Sequence, residues 1–276
     1  MNWLDALILG VVQGLAEYLP ISSSGHLEIC REILGLDLQG SEALEFDVAL
    51  HVATVLSTIV VLWKEFLPLC RSFFTVARDN NFYYVCKILV SCIPVAVVGL
   101  CFKDVVEEFF GSGLGMVGIC LLVTASLLAF AYFFRRGEIT KEQGTGSNYG
   151  NREIGWMDAF VIGCAQAVAV LPGLSRSGST IATGLLLGNR RDKLAQFSFF
   201  MVIIPILGEA MLDMVKMLGG ESASSSVGMV PITVGFIAAF LVGCAACKWM
   251  IELVKKGKLV WFAVYCAVAG LVCLIW

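Results

Sequence analysis

The chain has 276 residues, 58% of them hydrophobic and 15% charged, with a net charge of −3. Soluble domains carry about 25% charged residues, so the composition excludes an ordinary soluble enzyme and defines a polytopic membrane protein. No large soluble domain, P-loop or dinucleotide motif is present, and nucleic acid is not an expected partner. The N-terminus lacks a basic region and carries Asp5 instead, so it is not read as a cleavable signal.

The first element, residues 1–35, is apolar but broken in its middle. Residues 13–26 (Gln13, Gly14, Leu15, Ala16, Glu17, Tyr18, Leu19, Pro20, Ile21, Ser22, Ser23, Ser24, Gly25, His26) hold a carboxylate, three serines and one of the chain's two histidines. Broken backbone with ionisable groups is tolerated in a bilayer only where protein or a wet cavity surrounds it. The stretch is therefore read as a site on a helical hairpin that enters and returns.

Apolar runs at 46–63, 84–103 and 114–134 follow, each near the roughly 20 residues a spanning helix needs. A polar, glycine-rich linker at 137–153 is read as a flexible joint. A second broken stretch, 154–189, precedes apolar runs at 197–218, 229–251 and 259–276. Most of the eleven cysteines lie within these runs and are expected to be unpaired, small hydrophobes. Cys244 and Cys247 have CxxC spacing, but with no second pair metal or redox use is set aside.

The two broken stretches match without a gap at a constant offset. Trp3 meets Trp156, Asp5 meets Asp158, Gly10 meets Gly163 and Gln13 meets Gln166. Ser22 meets Ser175, Ser24 meets Ser177 and Gly25 meets Gly178. The differences matter too: Glu17 is opposite Val170, Ser23 opposite Arg176, and His26 opposite Ser179. Lysine and arginine fix the orientation. Lys64, Arg71 and Arg78, then Arg135, Arg136, Lys141 and Arg152, then Arg190, Arg191 and Lys193, then Lys255, Lys256 and Lys258 go to the cytoplasm. The loops at 104–113 and 219–228 have no lysine or arginine and go outside. The hairpins then enter from opposite sides. The expected fold is an all-α polytopic membrane protein with an inverted-topology repeat, each half a re-entrant hairpin plus three transmembrane helices. It forms a single membrane domain over 1–276, with half one at 1–136, the linker at 137–153 and half two at 154–276.

Candidate chemistry follows from the two tips. Arg176 cannot be neutralised, and glycines beside it admit backbone amides at the start of a helix, as an anion site requires. Arg176, Ser175, Ser177, Gly178 and Thr180 are read as a phosphate clamp, with Ser22 from the other tip. The alternative is a structural ion pair between Arg176 and Glu17. Ser23 lies three residues before His26, the spacing of a nucleophile and its base on one helix face; N-capping is the competing role for Ser22 or Ser24. Gln13 and Glu17 share a helix face and are the candidate ligands of a hard divalent cation. His51, near Asp47, is expected to be a packed histidine bonded to that carboxylate. Ser198 either faces the cavity or packs between helices.

These motifs resemble the undecaprenyl-diphosphatase family of the bacitracin-resistance type, over essentially the whole length. Gln13-x-x-x-Glu17 is similar to the family's Glu/Gln-x-x-x-Glu pattern. Ser22-Ser23-Ser24-Gly25-His26 is similar to its Ser-Ser-x-Gly-His motif, and Pro172-Gly173-x-Ser175-Arg176-Ser177-Gly178-x-Thr180 to its second signature. The resemblance implies hydrolysis of undecaprenyl diphosphate to the monophosphate, a divalent cation (Mg2+ or Ca2+), and a role in recycling the cell-wall carrier lipid. It implies functional roles for Glu17, Ser23, His26 and Arg176, with Gln13 in support where many members carry Glu. Expected partners are the prenyl diphosphate lipid and membrane lipid; a homodimer is compatible with the sequence, which leaves the oligomeric state open. The expected location is the bacterial inner membrane, with both termini outside and the site opening to the outer face. Whether Ser23, His26 or an activated water attacks stays open. A transporter or flippase of the same anionic lipid is the rival reading, since inverted repeats with re-entrant hairpins also build transporters.

Overall fold

The computed structural model describes residues 1–36, 41–102, 113–142, 150–218 and 227–276. Most of the expected outer loops, at 103–112 and 219–226, and residues 143–149 of the glycine-rich linker lie outside the described residues. Eleven α-helices and no strand occur among the described residues: α1 (Trp3–Ala16), α2 (Ser23–Leu34), α3 (Ser41–Val61), α4 (Trp63–Phe74), α5 (Asn80–Cys101), α6 (Gly113–Glu142), α7 (Trp156–Val168), α8 (Arg176–Leu186), α9 (Arg191–Leu218), α10 (Met229–Lys255) and α11 (Val260–Ile275). Helices α5, α6, α9 and α10 are each long and apolar enough to cross a membrane. The chain is thus an all-α, multi-pass membrane protein.

The broken stretches form helix–turn–helix units. Helices α1 and α7 have 14 and 13 residues, or ~20 Å at 1.5 Å per residue. That falls short of a hydrocarbon core of about 30 Å. Both open with the same device. The Asp5 carboxylate accepts from the Asn2 N–H, and the Asp158 carboxylate from the Gly155 N–H. The Asn2 side chain accepts in return from the Asp5 N–H and closes a capping box, whereas Gly155 supplies only the backbone half. The two matched aspartates therefore secure helix ends. The return helices start on matched caps as well: Ser22 Oγ accepts from the Gly25 N–H at 3.2 Å, and Ser175 Oγ from the Gly178 N–H at 3.0 Å.

Helix α6 continues to Glu142, into the stretch expected as linker. A larger difference lies after α3. Leu62 breaks the helix, and α4 leaves at 92° to it. The run Lys64–Arg78 had the charge of a loop, but Leu69 and Ser72 bury one face of α4 while Lys64, Glu65 and Phe74 stay exposed. This amphipathic pattern supports a helix where basic residues alone suggested none.

Packing is crosswise. Helix α1 lies along α10, α7 lies along α5, and α6 lies along α11, while α9 touches α3, α5, α8 and α10. Small residues allow the close approaches, as is usual between membrane helices. A Cβ at Gly163 would stand 2.3 Å from the Ser91 carbonyl oxygen of α5, and one at the matched Gly10 would stand 2.4 Å from the Gly235 carbonyl of α10. Backbone cannot yield as a side chain does. Gly163→Val is expected to destabilise the protein by about 3 kcal/mol or more, the upper range for overpacking, read as a lowered Tm in detergent. All eleven cysteines are free, in keeping with their apolar settings.

Candidate active site

The tips of the two hairpins touch. Ser177 Oγ donates to the Leu19 carbonyl at 3.0 Å, and a Cβ on Gly25 would stand 3.0 Å from Gly173 Cα. Glu17, the residue after α1, sits at the junction. Its Oε2 accepts from Ser23 Oγ at 2.7 Å and from Gln13 Nε2 at 3.0 Å. Its Oε1 lies 3.4 Å from the Arg176 guanidinium. Ser23 and Arg176 are the first residues of α2 and α8, each directly after its capping serine. The duplication therefore sets a hydroxyl and a guanidinium at equivalent positions, facing one carboxylate. Two helix N-termini converge there, and their partial positive charges favour an anion. Ser22 holds φ at 72°, a left-handed backbone that a serine rarely adopts. Strain of this kind persists where surrounding structure enforces it.

A cleft opens from this junction. Its polar end is lined by Glu17, Arg176, Ser177 and Ser198, and its apolar wall by Val202, Ile203 and Ile206 of α9. Ser198 both lines the cleft and bonds Thr180 at 2.6 Å. Most of the hydroxyls expected around phosphate are already engaged by the protein. Ser22 and Ser175 cap helices, Ser177 ties the tips together, and Thr180 Oγ1 also donates to the Arg176 carbonyl at 2.9 Å. Arg176 keeps the accessible donors, its side chain 23% exposed beside a Glu17 carboxylate at 8%.

His26 is placed differently from the serine–histidine pair that the spacing suggested. Its Nδ1–H donates to the Ser22 carbonyl at 2.8 Å, and its Nε2 lies 2.7 Å from the Tyr265 hydroxyl of α11, against which the ring stacks. A carbonyl can only accept, so Nδ1 carries a proton, and in the neutral imidazole Nε2 accepts from Tyr265. Ser23 is bonded to Glu17 rather than to His26. The histidine at the Glu17 carboxylate is His51, whose Nε2 is 3.7 Å from Oε2. The expected bond from His51 to the Asp47 carboxylate is replaced: Nδ1 donates to the Asp47 main-chain carbonyl at 2.8 Å, and Arg31 takes the carboxylate. Sequence reasoning missed His51 at the site and Tyr265 altogether. The only available signal for His51 was a histidine inside an apolar span, and nothing local marks Tyr265.

A divalent cation can be tested against these residues. Among the described residues, Gln13 Oε1 is buried without a hydrogen-bond partner beside Glu17. An orphaned amide oxygen next to a carboxylate suits a hard cation that takes its other ligands from phosphate and water. Among the described residues no group of three or more His, Cys, Asp or Glu side chains could hold a metal alone. The donor set fits a substrate-shared cation held by Glu17 and Gln13, not a protein cage.

Fold and site together define an integral membrane protein with a carboxylate, a hydroxyl and a guanidinium enclosed between two broken hairpins. The chain belongs to the bacitracin resistance protein BacA family, whose model matches residues 6–272. It is similar to a protein named undecaprenyl-diphosphatase from Parabacteroides distasonis, 56% identical over 272 residues covering 99% of this chain and 97% of the relative. The protein of that name from Bacteroides thetaiotaomicron is 54% identical over 275 residues, covering 100% of this chain and 99% of the relative. The one from Carboxydothermus hydrogenoformans is 36% identical over 275 residues, covering 100% and 97%.

Proposed function

We propose that the protein hydrolyses undecaprenyl diphosphate to undecaprenyl phosphate and inorganic phosphate, recycling a cell-wall carrier lipid in a bacterial inner membrane. The observation that carries this reading is Glu17, whose one carboxylate oxygen is bonded to Ser23 Oγ and whose other faces Arg176, with Glu17 and Arg176 at the polar end of a cleft that has an apolar wall. An anion clamp beside a polarised hydroxyl serves phosphoryl transfer, and an apolar wall suits a prenyl tail.

In this reading Arg176 and the amides at the starts of α2 and α8 hold the diphosphate. Ser23 Oγ attacks the terminal phosphorus as its proton passes to Glu17. The bond from that phosphorus to the bridging oxygen breaks, and prenyl monophosphate leaves. Water then hydrolyses the phosphoserine and releases phosphate. His26, with an unprotonated Nε2 and on the same flank of α2 as Ser23, is the base for this second half once Tyr265 releases it. A divalent cation held by Glu17 and Gln13 would neutralise phosphate charge.

The inverted repeat, with halves at 1–136 and 154–276, both termini outside and the site opening outward, belongs to the same proposal. Its support is the basic-residue placement and the crosswise packing of the hairpins. The test is phosphate release from a prenyl diphosphate by purified protein in detergent, where transport without chemistry yields no phosphate. EDTA is expected to lower release at least about tenfold, with recovery on adding Mg2+ or Ca2+. Unchanged release would leave charge neutralisation to Arg176 and the amides.

A further inference from the structure

We propose that Arg31, Asp47 and His51 form a bracket that positions Glu17 against Ser23. This rests on the phosphohydrolase reading of the site. The contacts close a ring. Ser23 and Arg31 lie on α2, and Asp47 and His51 lie one turn apart on α3. Arg31 holds the Asp47 carboxylate, the Asp47 carbonyl holds His51 Nδ1 at 2.8 Å, and His51 Nε2 stands 3.7 Å from Glu17 Oε2. Glu17 then returns to Ser23 at 2.7 Å.

Each part has a reason to be there. Glu17 caps the end of α1 with its backbone still helical, so what remains to be directed is its side chain. Gln13 and Ser23 hold one carboxylate oxygen and Arg176 faces the other. The side toward α3 is closed by the His51 ring. At 3.7 Å the ring edge is a contact, longer than a hydrogen bond; it stops the carboxylate from swinging off the serine. The ring is fixed because its far nitrogen is bonded to its own helix. Arg31 is 9% exposed, a costly placement for a cation in a membrane unless paired. Its pairing with Asp47 locks the helix that carries Ser23 to the helix that carries His51.

The experiment compares His51→Ala and His51→Gln with wild type in prenyl diphosphate hydrolysis and thermal unfolding. Misplacement of a reacting group by about 1 Å can cost about a hundredfold in rate. His51→Ala is expected to lower kcat about 30-fold with KM changed less than about twofold. His51→Gln, which has similar reach and a polar edge, is expected to recover most of the loss. Equal loss in both variants, or wild-type kcat in His51→Ala, overturns the bracket. If wild-type protein releases no phosphate, the hydrolase reading fails instead. The bracket is then decided by a double-mutant cycle of His51→Ala with Glu17→Gln in Tm: non-additive shifts support it and additive shifts overturn it.

Discussion

Arg176→Ala is expected to lower kcat/KM for the prenyl diphosphate about 1000-fold, about 4 kcal/mol of transition-state stabilisation. The size follows from what else is available. The serines and threonine around Arg176 are committed to caps, carbonyls and each other. Removing the guanidinium leaves backbone amides as the chief protein donors to the transferring phosphoryl group. Arg176→Lys is expected to recover only part, because an ammonium restores charge but not the planar fork that matches two phosphate oxygens. The change should not unfold the protein. At 3.4 Å the pair is loose, but Glu17 is only 8% exposed, so losing the guanidinium leaves a buried carboxylate held by Gln13 and Ser23 and costs about 3 kcal/mol of stability, less than a domain's total. Activity is read as phosphate release and folding as Tm; a kcat/KM within tenfold of wild type in Arg176→Ala would remove the arginine from the chemistry.

How much of this was legible in the sequence depends on the range of each interaction. The hairpins were readable because Pro20, Gly25, Pro172 and Gly173 interrupt apolar runs at matched places, and a local break needs no tertiary knowledge. The Ser22 cap and Gln13 beside Glu17 were readable for the same reason, since caps and i,i+4 pairs are local, whereas Ser175, expected as a phosphate ligand, caps its helix. The pairing of Ser23 with Glu17 was not. Spacing favoured His26, three residues away on the same helix, but the turn at Ser22 carries the serine back toward the end of α1. Meanwhile His26 finds Tyr265 on a helix 239 residues on in sequence. His51 was hidden for the complementary reason. Its local partner is a main-chain carbonyl, which every helix offers, so nothing nearby marks it out. Helix α4 was missed because its basic residues obscured a buried stripe seen only once its neighbour α5 is in place.

Ser23→Ala is expected to lower kcat at least about 1000-fold, about 4 kcal/mol, with KM for the lipid nearly unchanged. The argument is one of geometry. Ser23 Oγ is the hydroxyl bonded to the site carboxylate, at 2.7 Å, and it occupies the first position of a helix whose amides face the same space. Loss of its side chain leaves Gln13 still holding Glu17 and Arg176 still in place, so binding survives while the attacking atom is gone. That separates it from Ser22→Ala, which removes a helix cap and should cost about 1 kcal/mol of stability with a far smaller effect on turnover. Acid quenching of wild type after mixing with terminally labelled prenyl diphosphate should trap label on the peptide containing Ser23. A labelled histidine would move the attack to His26. An unlabelled protein together with a Ser23→Ala kcat within tenfold of wild type would assign it to water, and Glu17 would then act on that water instead of on the serine.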